Sequence, residues 1–485
     1  MKTDFIPEPE LEFGRSAHVD VRFGLATHGP LDVGTATAPT EIRVGLVGTT
    51  ETIEGIRGWL LKCRDGIAAK RTRLVNLFPP FPGFTRDSPM QSELIFDDRW
   101  IGTITSREEA SLLTTTKPTE MISEAVALFL DQAGRLTERG HLDVIVCAPS
   151  NEMLAQFDAY QGRPIDETEA SLDEGSEPER GPIRQAAFHD LLKASGMRLG
   201  VPIQMVRPPT YGLVVKSAEK PKLLQDEATR AWNFHTALYY KAGGIPWRLQ
   251  RVSSELSTCF VGISFYRTRD GARVLTSVAQ VFNERGEGII VRGAPAQLDK
   301  DDRIPHLSAT DARTLLGNAI STYRKEHKTA PARVVVHKTS NLTTDELEGF
   351  AGAAASHNIE VADIVSVRRS FIRLYREGTY PPLRGTLFHL SRESGVVYLR
   401  GSVNFFETYP GMYVPRPLEF VLSKADATVL QVATEMMGLS KLNWNNTQFD
   451  GGEPITVRAA RRVGDILKCL PPDGAVLQSS FRYYM

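Results

Sequence analysis

The scarcities of this 485-residue chain are informative. It has four cysteines, Cys63, Cys147, Cys259 and Cys469, all far apart. That spacing gives no paired zinc ligands, and four thiols are too few for a disulfide framework. Neither sign of charge prevails, with 57 Lys and Arg against 58 Asp and Glu. No global field therefore draws the chain to nucleic acid or a membrane, and any polyanion site has to be local. No apolar run is long enough to span a bilayer, and the acidic opening MKTDFIPEPELEF does not read as a signal peptide. A Walker loop, G-x-G-x-x-G, G-x-S-x-G and H-E-x-x-H are all missing, and ten histidines are scattered without metal spacing. The expectation is a cytosolic globular protein, 41% hydrophobic and long enough for two or more domains.

What is present is an alternation of strands and helices. EIRVGLVGTTETIEGIRGWLLKC reads as a buried strand, a small-residue turn and an amphipathic helix, and HLDVIVCAPSNEML repeats that grammar. GVPIQMV is a third apolar strand, so the first half predicts a mostly parallel sheet with covered faces. Residues 161–181 are acidic and poor in apolar residues, which predicts an exposed loop. The helix in ATRAWNFHTALYYKAGGIPWRL ends at Gly243-Gly244, with Pro246 barring continuation. A second α/β section follows a boundary near residue 250. It opens with two antiparallel strands in STCFVGISFYRTRDGARVLTSVAQVF and continues with the strand ARVVVHK and the helix TTDELEGFAGAAASH. Four further strands precede helices around ATVLQVATEMMG and ITVRAARRVGDILKCL.

Two local patterns are chemically suggestive. FHDLLKASGMRLGVPIQMV sets His189 and Lys193 four residues apart on one helix face, with Gln204 just past a glycine turn. By themselves these residues read as a solvated helix face beside a core strand, or as an anion pocket. VRRSFIRLYREG interleaves Arg368, Arg369, Arg373 and Arg376 with Phe371 and Tyr375. That composition suits phosphate contact and base stacking, or else an edge strand with a charged solvent face.

Several blocks in fixed order weigh on both choices. GIPWRL after ALYYKAGG, then CFVGISFYR, RVVVHK, LRGTLFHLS, YLRGSV, TYPGMYVPRPLEF and SKLNWNNTQFDGGEPITVRAARRVGDIL together resemble the MID and PIWI domains of prokaryotic Argonautes. The opening FGRSAHVDVRFGLATHGP is similar to the start of the short prokaryotic Argonautes, which lack N and PAZ domains. The resemblance implies a Rossmann-like MID domain with an N-terminal extension over 1–250 and an RNase H-like PIWI domain over 251–485. It also implies a pocket for the 5′-phosphate of a guide strand at His189, Lys193, Gln204 and Lys241. On this reading His189 donates best as imidazolium. In many relatives a divalent ion, here Mg²⁺, completes the pocket with help from the terminal carboxylate, which would be that of Met485.

An active PIWI domain holds its metal ions with carboxylates, because two-metal phosphodiester cleavage requires them. At the matching positions stand Ser264 in VGISF, Thr339 after VVVHK and Arg461 where relatives read an aspartate. A fourth, loop-borne glutamate could align with Glu284, Glu287 or neither. The resemblance thus implies a non-cutting member, with Arg368, Arg369, Arg373 and Arg376 as candidates for the nucleic-acid channel. It would pair a 5′-phosphorylated guide RNA with single-stranded invading DNA and activate an APAZ-containing partner, such as a sirtuin-like or TIR NADase or a nuclease, in antiphage or antiplasmid defence. The competing readings are an active guided endonuclease and a Rossmann-type small-molecule enzyme, for which GLVGTTETIEG supplies no glycine-rich phosphate loop.

Overall fold

The computed structural model describes residues 2–161, 187–213, 224–250, 256–269, 273–282, 288–298, 304–375, 377–378, 381–411, 414–470 and 478–485. The acidic loop expected over 161–181 lies, except for Gln161, outside the described residues, as do Arg376, Glu284 and Glu287.

Two sheets organise the chain. In the first, Glu93–Ile95, Glu41–Gly48, Val144–Ala148 and Ile203–Met205 lie side by side and parallel, and Ile101–Thr103 pairs with the far end of Glu41–Gly48. All five residues of Val144–Ala148 are buried, as expected for a strand covered on both faces. The Gly-Thr-Thr turn after the first of these strands is structural. Thr49 caps the helix Thr50–Arg64 by accepting from Thr52 N, and the Thr52 hydroxyl donates to Ala148 O at 2.8 Å, tying two strand ends together.

The second sheet has nine strands. In spatial order they are Lys2–Phe5, Thr386–His389, Ser394–Val397, Leu418–Lys424, Val361–Arg369, Arg333–Lys338, Thr258–Arg267, Val274–Phe282 and Gly288–Pro295. Val361–Arg369, Arg333–Lys338 and Thr258–Arg267 run parallel, and the other pairings are antiparallel. The period-two alternation of the central strand serves two layers. Cys259, Val261 and Ile263 pack with the helices Ala309–His327 and Thr344–Ser356, while Phe260 joins the layer containing the helix Ile455–Leu467.

A division at residue 250 does not separate the two sheets cleanly. Lys2–Phe5 pairs with Thr386–His389, at the far end of the second sheet. Glu8, just beyond it, faces the buried cations Arg384 at 3.0 Å and Lys441 at 3.5 Å, so the N-terminal segment is anchored by charge as well as by backbone. Breaking such a buried set leaves uncompensated charge, which makes the anchor costly to lose. Cys63, Cys147 and Cys259 are buried, Cys469 is partly buried, and none is in a disulfide. Among the described residues no helix is long and apolar enough to cross a membrane.

The contact that sets the site's geometry is at Gly262. A Cβ there would fall inside the van der Waals shell of the Thr456 carbonyl oxygen, so glycine lets the helix Ile455–Leu467 lie directly on the strand. His337 Nδ1 and Thr456 Oγ1, 2.8 Å apart, fix the same crossing. Gly262→Ala is expected to destabilise the fold by about 1–3 kcal/mol through overpacking, read as a lower urea midpoint. An unchanged midpoint would show that the helix can move away freely.

Candidate nucleic-acid interface

The helix Phe188–Gly196 is anchored by Phe188, whose ring lies 5.5 Å from Phe129 and 4.7 Å from Phe157. His189 and Lys193 lie one turn apart on it, and neither faces open solvent: they are 6% and 3% exposed. That excludes the solvated-face reading. The second half of the chain supplies their neighbour. Arg462, on Ile455–Leu467, places Nη2 2.9 Å from His189 Nδ1 and 3.2 Å from Nε2. Asp190 organises the group from behind. Its carboxylate lies 3.0 Å from His189 Nδ1, 3.5 Å from Arg462 and 4.0 Å from Lys468.

Gln204 and Lys241 meet directly. Lys241 Nζ donates to Gln204 Oε1 at 2.7 Å and to Asn445 Oδ1 at 3.2 Å. Asn445 belongs to a turn held from both sides. Its backbone N–H donates to Asn443 Oδ1, while Thr447 donates through N and Oγ1 to Asn233, on the same helix as Lys241. The last residues dock on the turn after the pocket helix, where Tyr483 Oη donates to Gly200 O at 2.8 Å and Gln478 Nε2 to Met197 O at 3.3 Å. Met485 is buried there in the same core as Met197.

The electrostatics differ from expectation at one residue. Burial first, then the positive charges of Arg462 and Lys193, push the His189 imidazole down to about 3, against the opposing pull of Asp190. His189 is therefore neutral at ordinary pH, and the cations around it are Arg462 and Lys193 rather than an imidazolium. Burial alone would raise Asp190, but Arg462 and His189, with Lys468, outweigh it and hold the carboxyl below the usual range.

The second constellation is at the carboxyl edge of the nine-stranded sheet. Thr339 N–H donates to Ile263 O at 3.1 Å, and the hydroxyls of Thr339 and Ser264 are 3.5 Å apart. Two of the three positions at which the resemblance would place carboxylates thus face each other. Arg461 is held elsewhere, by Glu453, which Arg369 also approaches at 3.5 Å.

No protein-family model and no curated protein matches this sequence. Solved structures do. Clostridium butyricum Argonaute, bound to a guide DNA and a 19-mer target DNA, superposes with a TM-score of 0.63 at 15% identity, over 97% of this chain and 53% of that one. Drosophila Piwi gives a TM-score of 0.56 at 13% identity, over 99% and 56%. Marinitoga piezophila Argonaute, in complex with a 5′-OH guide RNA, gives 0.54 at 11% identity, over 100% and 59%. The fold is that of the Argonaute and Piwi proteins. This chain spans a little over half the length of those structures. Its parallel sheet is Rossmann-like, as in a MID domain, and its nine-stranded sheet is RNase H-like, as in PIWI.

On the PIWI-like sheet the arginine-rich stretch is not an edge strand. Val361–Arg369 lies between two neighbours, and Arg368 pairs across the ladder with Glu419. Arg369 faces Glu453, and Arg373 Nη1 donates to Ser370 O at 2.9 Å and Ile372 O at 3.0 Å. Each candidate channel arginine that is described thus has an internal partner. The aromatic residues between them are widely exposed, Phe371 92% and Tyr375 78%, as Arg368 and Arg373 also are exposed. Arg462, Asp190 and Asn445 are the pocket residues that sequence reasoning missed. The signal for Arg462 was its place beside Arg461 in VRAARRVGDIL, where the polar stripe of the helix is two arginines wide.

The depressed imidazole has a consequence for acid stability. Between pH 6.5, the ordinary histidine value, and about 3 the unfolded chain binds a proton that folded His189 refuses. Stability present above 6.5 is therefore lost as pH falls toward 3, by about 1.4 kcal/mol per pH unit for that proton. His235 and His337, pushed down to about 4 and about 3 by burial first, add to the same trend. His189→Gln is expected to remove one proton's worth of this slope in urea unfolding at pH 7, 5 and 4. An unaltered slope would contradict a neutral buried imidazole.

Proposed function

We propose that this chain binds the 5′-phosphorylated end of a guide RNA in the pocket of His189, Lys193, Gln204, Lys241 and Arg462, and pairs the guide with single-stranded DNA. The observation that carries the reading is Arg462, from the second sheet, 2.9 Å from His189 and beside the buried Lys193, which is 3% exposed; Lys241, 1% exposed and bonded to Gln204, adds a second buried cation to the proposed site. Taking several cations out of water in one place is costly, and a phosphate dianion is the ligand that offsets it. Lysine supplies point charge, the Arg462 guanidinium a planar set of donors, and Gln204 a neutral amide.

The resemblance implies Mg²⁺ beside the guide phosphate with the terminal carboxylate of Met485 as its protein ligand, and the side chains around His189 offer it no further ready carboxylate. Asp190 is already engaged by His189, Arg462 and Lys468. Among the described residues no three His, Cys, Asp or Glu side chains converge as metal ligands.

The chain is further proposed to hold the guide–target duplex without cutting it. Ser264 and Thr339 offer neutral hydroxyls where carboxylates would have to bind two metal ions, and Arg461 adds positive charge. Such a platform acts through a partner: a duplex that binds one arrangement of the complex more tightly shifts its population. The partner is proposed to be an APAZ-containing effector with NADase or nuclease activity in antiphage or antiplasmid defence. This rests on the block-by-block resemblance of the sequence to short prokaryotic Argonautes.

Because a structure of the same fold carries a 5′-OH guide, the end chemistry is the first thing to test. Wild type is expected to prefer 5′-phosphorylated over 5′-hydroxyl RNA in filter binding. Lys193→Ala should cost the phosphorylated strand about 2–4 kcal/mol, on the order of 30- to 1000-fold in Kd. Equal affinity for both ends would sink the pocket assignment. With guide, complementary DNA and Mg²⁺ or Mn²⁺, the lone chain should leave the target intact. With the neighbouring gene product, turnover of NAD or nucleic acid should depend on the target. Guide-directed cutting at a fixed site by the chain alone would overturn the platform reading.

A further inference from the structure

Beyond Arg369 the chain leaves the sheet, yet its backbone stays pinned at every second residue. Ser370 N–H donates to Pro417 O at 3.0 Å, Ile372 N–H to Ser370 Oγ at 3.2 Å, and Leu374 N–H to Tyr398 Oη at 2.8 Å. Arg373 adds its two bonds to the carbonyls of Ser370 and Ile372. Exposure alternates in step: Ser370 is 3% and Ile372 36% exposed, against 92% for Phe371 and 78% for Tyr375. Phe371, Arg373 and Tyr375 are all exposed, while Ser370 is buried and Leu374 half-buried. Five residues therefore hold two aromatic faces out to solvent on a fixed backbone, with a guanidinium between them.

From this we infer that Phe371, Arg373 and Tyr375 form a nucleobase-stacking subsite for the strand or duplex that the second sheet carries. The inference rests on the nucleic-acid reading above and adds to it a place where bases, rather than phosphates, are held. Fixed, exposed aromatic rings stack on any base, because every base has a π-face, and a neighbouring arginine contributes stacking and phosphate contact. The position supports this occupant. The run continues the strand Val361–Arg369 past the carboxyl edge where Ser264 and Thr339 face each other, and Arg373 is its own positive charge. An apolar protein partner would be met by a larger apolar surface with less positive charge at its centre.

The test compares wild type, Phe371→Ala/Tyr375→Ala and Phe371→Trp/Tyr375→Trp, all at exposed positions, with thermal midpoints confirming intact folds. A 5′-phosphorylated guide annealed to DNA carries 2-aminopurine at successive positions. The alanine pair is expected to weaken the guide–target complex on the order of 10- to 100-fold, with the salt slope unchanged, because stacking rather than phosphate contact is lost. The tryptophan pair should retain affinity, and its fluorescence should be quenched on binding. One stretch of 2-aminopurine positions should be quenched by wild type and released by the alanine pair. If wild type selects the 5′-phosphate but the alanine pair binds as well as wild type, the stacking subsite is overturned and the guide reading stands. If wild type ignores the 5′-phosphate, the pocket reading fails, and the same titrations still decide the stacking subsite. An alanine pair that binds nucleic acid normally but no longer associates with the neighbouring gene product would make this a protein-docking surface and overturn the inference.

Discussion

The carbonyl oxygen of Thr456 occupies the space where residue 262 would carry a Cβ, and much of the molecule follows from that close approach. It seats the helix Ile455–Leu467 against the strand Thr258–Arg267 with no side chain between them. One helix can then serve two places. Its first turn meets His337 on the second sheet, and Arg462 reaches the pocket helix of the first. Arg461, one residue earlier and about 100° around the axis, turns instead to Glu453, which Arg369 also approaches. The pocket is thus complete only when the two halves are packed together.

Electrostatics reinforces that arrangement. Lys193 and Lys241 are almost wholly buried, and Arg462 is partly buried beside His189. The neighbouring histidine answers by staying neutral, and Asp190 by staying charged. On the proposed reading, an anion brought from outside offsets the positive charge of Lys193 and Arg462. The same logic explains why Arg368 and Arg369 lie against Glu419 and Glu453. Exposed arginines with internal partners do not attract nucleic acid indiscriminately, which accords with a chain whose net charge is −1.

Much of this was legible in the residues, for identifiable reasons. Strands such as Val144–Ala148 and Arg333–Lys338 announce themselves as short apolar runs between turn signals, and helices by their period. His189 and Lys193 share a helix face by spacing alone. Their burial was not legible, because it depends on Arg462, 273 residues away in sequence. Lys2–Phe5 misleads for the same reason: its partner strand begins at Thr386, and nothing local marks an N-terminal strand as belonging to a distant sheet. The edge-strand alternative for VRRSFIRLYREG failed because Val361–Arg369 is flanked on both sides, by the preceding strand Arg333–Lys338 and by Leu418–Lys424 from much later in the chain. The depressed His189 imidazole was not legible, because its largest cause, desolvation, is a property of packing.

The central claim is that residues from both halves bind one phosphate together, and a double-mutant cycle on Lys193→Met and Arg462→Met tests it most directly. Binding of 5′-phosphorylated and 5′-hydroxyl RNA would be measured for the wild type, both single variants and the double variant. The expected result is a coupling energy of about 1 kcal/mol or more with the phosphorylated strand that vanishes with the hydroxyl strand. Strictly additive losses, or the same losses with both strands, would contradict a shared phosphate site.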